Sequence, residues 1–284
     1  MYKLSKMKIK EFNWKTIDDL DIYGKYWSPE SNIKAVVCLV HGMGEHINRY
    51  NYFAETLVGF GYAVIGFDQR GHGKSKGQRG HSPSYEHLLH SVDDLLNKAE
   101  EFFPETPRFL MGHSMGGNVV INYVLDRQPK IKGVIASAPL LRLAFEPPAW
   151  KTTLGKLVKN IFPSLPQFTN LDAKAISRIP EEVKKYEEDK LVHDRITPGM
   201  YFGFIEKGEY AMQHAAEFPL PLLIYHGTGD QLTSHIASKE FAEKVGEKAQ
   251  LHLFDGGYHE THHDHDRDKA IAIICEWLEK QLNA

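Results

Sequence analysis

The chain of 284 residues reads as an α/β protein, a mostly parallel, doubly wound sheet interrupted by one inserted, mainly helical cap. Three observations predict this. Short apolar runs alternate with helical patterns toward both ends of the chain, the signature of βαβ units. The alternation breaks over residues 139–215, where Pro147, Pro148, Pro163, Pro166, Pro180 and Pro198 punctuate short apolar stretches, and then resumes. A Gly-x-Ser-x-Gly run, Gly112-His113-Ser114-Met115-Gly116, sits at one strand-to-helix junction.

Taken in order, residues 16–27 alternate and predict an N-terminal antiparallel hairpin. Strand 35–40, helix 50–59, strand 62–67, helix 84–102, strand 108–112, helix 115–127 and strand 132–137 follow. Residues 139–215 form the predicted cap, with apolar helical stretches such as Leu154 to Phe162. The core resumes with strand 221–226, helix 234–245, strand 249–254 and helix 267–282, whose Ile271, Ile274, Cys275 and Leu278 mark one apolar face. The domain reading is therefore a core of residues 1–138 and 216–284 around a cap of 139–215.

Composition narrows the function. A hydrophobic share of 42% and a charged share of 25% are those of an ordinary globule with a large core. A net charge of −3 argues against nucleic acid as a partner, which demands a basic patch. Two cysteines cannot build a disulfide framework; Cys38 falls in a buried-strand pattern and Cys275 in the last helix, so free thiols in a reducing, cytoplasmic setting are expected. The basic start, Met1 to Lys10, carries no apolar core of a signal peptide, and no stretch reaches the ~18 apolar residues of a membrane span.

The Gly-x-Ser-x-Gly run follows the apolar Arg108-Phe109-Leu110-Met111 and precedes a helix, the context in which it is a nucleophile elbow. A serine hydroxyl attacks only when a base takes its proton. In chain order the next partners are Asp230, at the end of Pro221 to Gly229, and His259, after the strand Leu251 to Phe254 and the turn Asp255-Gly256-Gly257-Tyr258. Both fall just past predicted strand ends, where open α/β sheets place their sites. His41-Gly42-Met43-Gly44 follows the strand ending at Val40, so the backbone N–H groups of Met43 and Met115 are candidates for an oxyanion hole. His41 and His113 read as orienting or packing residues.

Four segments make the resemblance specific: His41-Gly42-Met43-Gly44-Glu45-His46 with Arg49-Tyr50, Phe67 to Ser75, Gly112 to Gly117, and His226-Gly227-Thr228-Gly229-Asp230. On these the chain resembles the monoacylglycerol lipases and lysophospholipases of the serine α/β-hydrolase superfamily. The resemblance implies the α/β-hydrolase fold, Ser114 as nucleophile, Asp230 and His259 as its triad partners, and Met43 and Met115 as oxyanion donors. It also implies a glycerol-end pocket at Glu45, Arg49, Tyr186 and His262, a small-molecule acyl lipid as substrate, and no cofactor. Lys190 departs from the family, which has proline after the preceding aspartate. The expected activity is hydrolysis of single-chain acyl esters, foremost monoacylglycerols. Lysophospholipid or short-chain ester hydrolysis is the alternative. An aminopeptidase would need an acidic cap pocket, for which Glu181, Glu182, Glu187 and Glu188 are candidates, and a non-catalytic binding protein would not need a triad. The cap residues Leu154, Leu157, Val158, Ile161 and Phe162 face an acyl chain, a transiently contacted membrane surface or the core.

Two further patterns compete. His259-Glu260-Thr261-His262-His263 matches the H-E-x-x-H zinc motif, which needs its two histidines one turn apart on a stable helix. The glycines before it predict a turn instead, and no metal is assigned. Gly73-Lys74-Ser75 lacks the earlier glycine of a phosphate loop, since Asp68 holds that place, and reads as a structural loop beside the elbow.

Overall fold

The computed structural model describes residues 7–284, the Lys151 side chain excepted, and its sheet begins one strand earlier than the alternation at 16–27 predicts. The hairpin is present, but its first strand is β1 (Met7–Lys15), paired antiparallel with β2 (Asp21–Pro29) from Lys15 opposite Asp21 to Met7 opposite Pro29. Residues 16–20 are the turn. Strand β1 is an edge strand with one neighbour, and lysines 8, 10 and 15 break its apolar pattern. Residues 1–6 of the basic start lie outside the described residues.

The remaining strands are β3 (Ala35–Val40), β4 (Tyr62–Phe67), β5 (Arg108–His113), β6 (Gly133–Ser137), β9 (Leu222–Gly227) and β10 (Ala249–Phe254), with the short β7 (Gln167–Phe168) and β8 (Arg195–Ile196) between β6 and β9. The eight-stranded order is β1-β2-β4-β3-β5-β6-β9-β10; all pairs from β4 to β10 are parallel. Both faces of β3, β4, β5, β6 and β9 are covered, so these strands read as near-continuous apolar runs, whereas the edge strand β10 is only partly buried and alternates, with Gln250 and His252 between its apolar residues. Val36, Cys38 and Val40 turn to the side of α2 (Tyr85–Phe102), α3 (Met115–Arg127) and α7 (His235–Val245). Val37 and Leu39 turn to α1 (Asn51–Gly59) and α8 (Arg267–Leu282). Cys38 and Cys275 are free and buried, and burial pushes the Cys38 thiol up to about 12.

Between β6 and β9 the chain leaves the main sheet. It forms α4 (Ala149–Ile161), α5 (Pro180–Glu188) and α6 (Pro198–Gln213), with β7 and β8 paired antiparallel. Polar links tie this segment to core loops: the His193 N–H donates to the Gly44 carbonyl at 2.9 Å, the Thr197 N–H to the Gly80 carbonyl at 3.0 Å, and Arg178 pairs with Asp264 and Asp266. Leu154, Leu157, Ile161 and Phe162 are each more than half exposed, so they do not pack on the core. Among the described residues no helix is long and apolar enough to cross a membrane.

Candidate active site

Ser114 occupies the turn between β5 and α3 with φ 53° and ψ −115°. A non-glycine residue in that region carries strain on the order of 1–3 kcal/mol, stored where surroundings over-determine it. The surroundings here leave no room for side chains at the two flanking glycines. A Cβ on Gly112 would lie 2.2 Å from the Gly116 carbonyl oxygen, and one on Gly116 would lie 2.1 Å from that of Val40. The Ser114 N–H donates to the Ser137 carbonyl at 2.9 Å, and the Ser114 carbonyl accepts from Leu140 and Asn118.

Asp230 and His259 arrive on adjacent loops, after β9 and β10. The loops touch because Gly227 has no side chain: a Cβ there would meet the Gly257 carbonyl at 2.1 Å. His259 Nδ1 donates to Asp230 Oδ2 at 2.6 Å. The same oxygen accepts from His226 Nε2 at 2.9 Å and stands 2.8 Å from the Thr233 hydroxyl, while Oδ1 accepts from the N–H groups of Leu232 at 2.7 Å and Thr233 at 3.1 Å. Burial is the largest influence on the Asp230 carboxyl and would raise its pKa, but the His259 charge and the donated hydrogen bonds together hold it far below the ordinary value. Burial likewise opposes the charged form of His259, and the Asp230 charge and hydrogen bond reverse the balance, so its pKa is raised. His226 accepts a hydrogen bond from Ser238 at its other nitrogen, 2.9 Å away, and burial lowers its pKa, so it serves Asp230 as a neutral donor.

The loop after β3 is held at Gly42 from both ends. Its N–H donates to Glu45 Oε1 at 2.6 Å and its carbonyl accepts from His41 Nδ1 at 2.8 Å. His41 Nε2 in turn accepts the Gln69 N–H at 2.9 Å, and burial pushes the imidazole pKa down to about 3, so its tautomer is set. His113 is buried against the His259 ring at 4.8 Å. Asp68 is a loop fastener, accepting from the N–H groups of Ile47 and Lys74 at 2.8 and 2.7 Å.

One cavity of about 480 Å³ brings these parts together, within the ordinary range for a ligand pocket. Met43, Ser114, Met115 and His259 line it, together with Glu45, Tyr186 and Glu260. Its remaining wall is mostly apolar and comes largely from residues 140–205, including Leu143, Ile176, Phe202 and Phe204. Arg49 and His262, expected at the glycerol end, do not line it. Arg49 is consumed by Glu45 and Glu260. His262 is fully buried, stacked 4.9 Å from Tyr50 and edge-on to His113. Glu181, Glu182, Glu187 and Glu188 also lie off the cavity wall, on α5, where Glu182 pairs with Lys185.

His259 and His263 do not share a helix, since Thr261–His263 is a single 3₁₀ turn. The motif reading names His226 only as part of its segment and gives neither it nor Thr233 a role, although both sit within four residues of Asp230 on either side.

Residues 31–266 match the family described as serine aminopeptidase, S33. The chain is 33% identical over 275 residues to an uncharacterized abhydrolase domain-containing protein of Dictyostelium discoideum, covering 95% of this chain but spanning only 29% of that relative's length. It is 30% identical over 258 residues to a monoacylglycerol lipase of Mycolicibacterium smegmatis, covering 90% of this chain and 92% of that one. The crystal structure of Paleococcus ferrophilus monoacylglycerol lipase matches with a TM-score of 0.82 at 34% identity, covering 96% of this chain and 99% of that one.

Proposed function

The chain belongs to the serine aminopeptidase, S33, family of α/β-hydrolases, and on that premise we propose that it hydrolyses monoacylglycerols to fatty acid and glycerol through an acyl-enzyme on Ser114. The observation that carries the proposal is the mostly apolar cavity lined by Ser114 and the Asp230-paired His259, with Glu45 and Tyr186 among its polar lining residues. The relatives named monoacylglycerol lipase support the substrate class.

His259 Nδ1 is committed to Asp230, which leaves Nε2 to accept the Ser114 proton as the hydroxyl attacks the ester carbonyl. The raised pKa of His259 suits it to hold that proton and return it to the departing glycerol. The N–H groups of Met43 and Met115 stabilise the tetrahedral oxyanion; water then cleaves the acyl-enzyme with His259 again the base. Each methylene of the chain buried in the cavity favours binding by about 0.8 kcal/mol until the cavity ends.

Residues 139–215 act as a cap in this proposal. Trp150, Leu154, Leu157 and Ile161 follow one another at helical spacing on α4 and are 65%, 54%, 56% and 59% exposed. On the other side of the same helix Gly155 approaches Phe202 and lines the cavity. Such a helix meets an apolar surface outside while roofing an apolar cavity inside, which supports transient contact with a lipid surface.

The test is hydrolysis of monoacylglycerols, triacylglycerols, lysophospholipids and p-nitrophenyl esters by the wild type and by Ser114→Ala. Monoacylglycerols should be turned over much faster than triacylglycerols, whose additional chains find no room, and a fluorophosphonate should label Ser114. Activity in Ser114→Ala, or equal rates on mono- and triacylglycerols, would refute the proposal.

A further inference from the structure

Arg49 sits at the centre of a buried cluster that the reaction steps above do not use. Its Nη1 donates to Glu45 Oε2 at 2.8 Å and to Glu260 Oε1 at 2.7 Å, and its Nη2 donates to Glu260 Oε2 at 2.6 Å. Glu45 Oε1 accepts from the Gly42 N–H at 2.6 Å and from the Tyr50 hydroxyl at 2.8 Å. His263 closes the ring, with Nε2 donating to the Arg49 carbonyl at 2.9 Å and Nδ1 placed 2.9 Å from Glu260 Oε2. Tyr186 lays its ring over the guanidinium, 4.8 Å from the centroid.

The two carboxylates stand at chemically pointed places. Glu45 holds the Gly42 N–H, one peptide before that of Met43, and Glu260 directly follows His259. We propose that Glu45, Arg49, Glu260 and His263 form a clamp that sets the loop carrying Met43 against the loop carrying His259, so that Arg49 and Glu260 are positioning residues for the reaction. The inference rests on the roles proposed above for Met43 and His259.

Three features favour a clamp over a substrate contact or a stability device. Arg49 does not line the cavity, and its two terminal nitrogens are engaged by carboxylates, so it has little to offer glycerol. A buried ion cluster is a poor source of stability, because apolar groups of similar shape serve as well or better. What it does supply is direction: a guanidinium fork meeting a carboxylate at two points fixes both groups in one plane. Two carboxylates around one guanidinium also leave negative charge beside His259, which favours the imidazolium formed when Ser114 gives up its proton. The H-E-x-x-H run thus acquires a role without a metal, His259 facing the nucleophile while Glu260 and His263 grip Arg49.

The test uses the full chain with Arg49→Lys, and with the uncharged triple Glu45→Gln, Arg49→Met and Glu260→Gln, which leaves no buried charge unpaired. Turnover of p-nitrophenyl butyrate and of a monoacylglycerol is measured, with the rate of Ser114 labelling by a small fluorophosphonate and the melting temperature. The clamp predicts that kcat falls for both esters, on the order of 10²-fold in the triple, with KM for p-nitrophenyl butyrate nearly unchanged and labelling slowed in step. Arg49→Lys keeps the charge but not the fork and should fall between; it decides on the same readouts if the triple does not fold. Wild-type kcat on p-nitrophenyl butyrate, or a loss confined to KM for the monoacylglycerol, would overturn the clamp. An unlabelled Ser114 in the wild type would overturn the catalytic reading itself, and the clamp with it.

Discussion

Asp230→Asn tests the site most sharply, because the structure dictates how the new amide must turn. Oδ1 faces two backbone N–H groups, those of Leu232 and Thr233, which can only donate. Oδ2 faces His226 and His259, whose imidazoles can shift a proton from one nitrogen to the other. The carboxamide oxygen therefore takes the Oδ1 place and the NH₂ group takes the Oδ2 place. His226 adapts by accepting at Nε2 and donating from Nδ1 to the Ser238 hydroxyl. His259 adapts by accepting at Nδ1, which moves its proton to Nε2, the nitrogen that receives the Ser114 proton in the proposed mechanism. The fold keeps nearly all its hydrogen bonds and should lose roughly 1–3 kcal/mol for the lost charge assistance. Turnover should fall by about 10⁴, the scale that tautomer inversion costs in Ser-His-Asp enzymes, or about 5 kcal/mol in activation free energy. The assay is kcat on a monoacylglycerol, with the melting curve confirming a folded variant. A folded Asp230→Asn enzyme within tenfold of wild-type kcat would refute the reasoning.

The acid limb of kcat/KM should lie above the ordinary histidine value near 6.5, because Asp230 raises the pKa of His259 and the protonated imidazole cannot act as base; a limb at or below that value in a pH-rate profile would contradict this. Gly116→Ala forces a Cβ to within 2.1 Å of the Val40 carbonyl and should lower the melting temperature and abolish turnover, whereas Gly203→Ala, in α6 with nothing within 4 Å, should stabilise by about 0.5–1 kcal/mol; equal melting temperatures would remove the steric account. Replacing both Leu157 and Ile161 by Glu should weaken co-sedimentation with lipid vesicles by at least about tenfold, since each such side chain taken from water is worth ~1.5–3 kcal/mol, while turnover of a soluble p-nitrophenyl ester stays unchanged; undiminished vesicle binding would refute the role of α4.

The core was legible because its forces are local and periodic. A strand covered on both faces must be apolar throughout, as Ala35–Val40 is, and a helix on the sheet must carry one stripe, as Ile271, Ile274 and Leu278 do. Strand β1 escaped because an edge strand meets water, and its lysines hide the alternation of Phe12 and Trp14, which pack on the core. Ser114, Asp230 and His259 were legible for a related reason: each sits in the turn where a parallel strand ends, and the glycines that let those turns close are written beside them.

The surroundings of those three residues were not, and the H-E-x-x-H run shows why. The run states that a histidine, a glutamate and a second histidine follow one another, and both a metal site and a clamp satisfy that statement. Their directions depend on a 3₁₀ turn that sends His262 inward against Tyr50 and His113 instead of toward a ligand. Their chemistry depends on Arg49, which approaches Glu260 from 211 positions away. Arg49 and Glu45 are legible as a local ion pair one helical turn apart, yet nothing along the chain says that Glu45 will also reach back to the Gly42 N–H. A short motif therefore specifies which groups the chain delivers to a strand end. Which of them face the cavity is decided only once distant charges have been paired: Glu45 and Glu260 line it while gripping Arg49, and Arg49 and His262 do not.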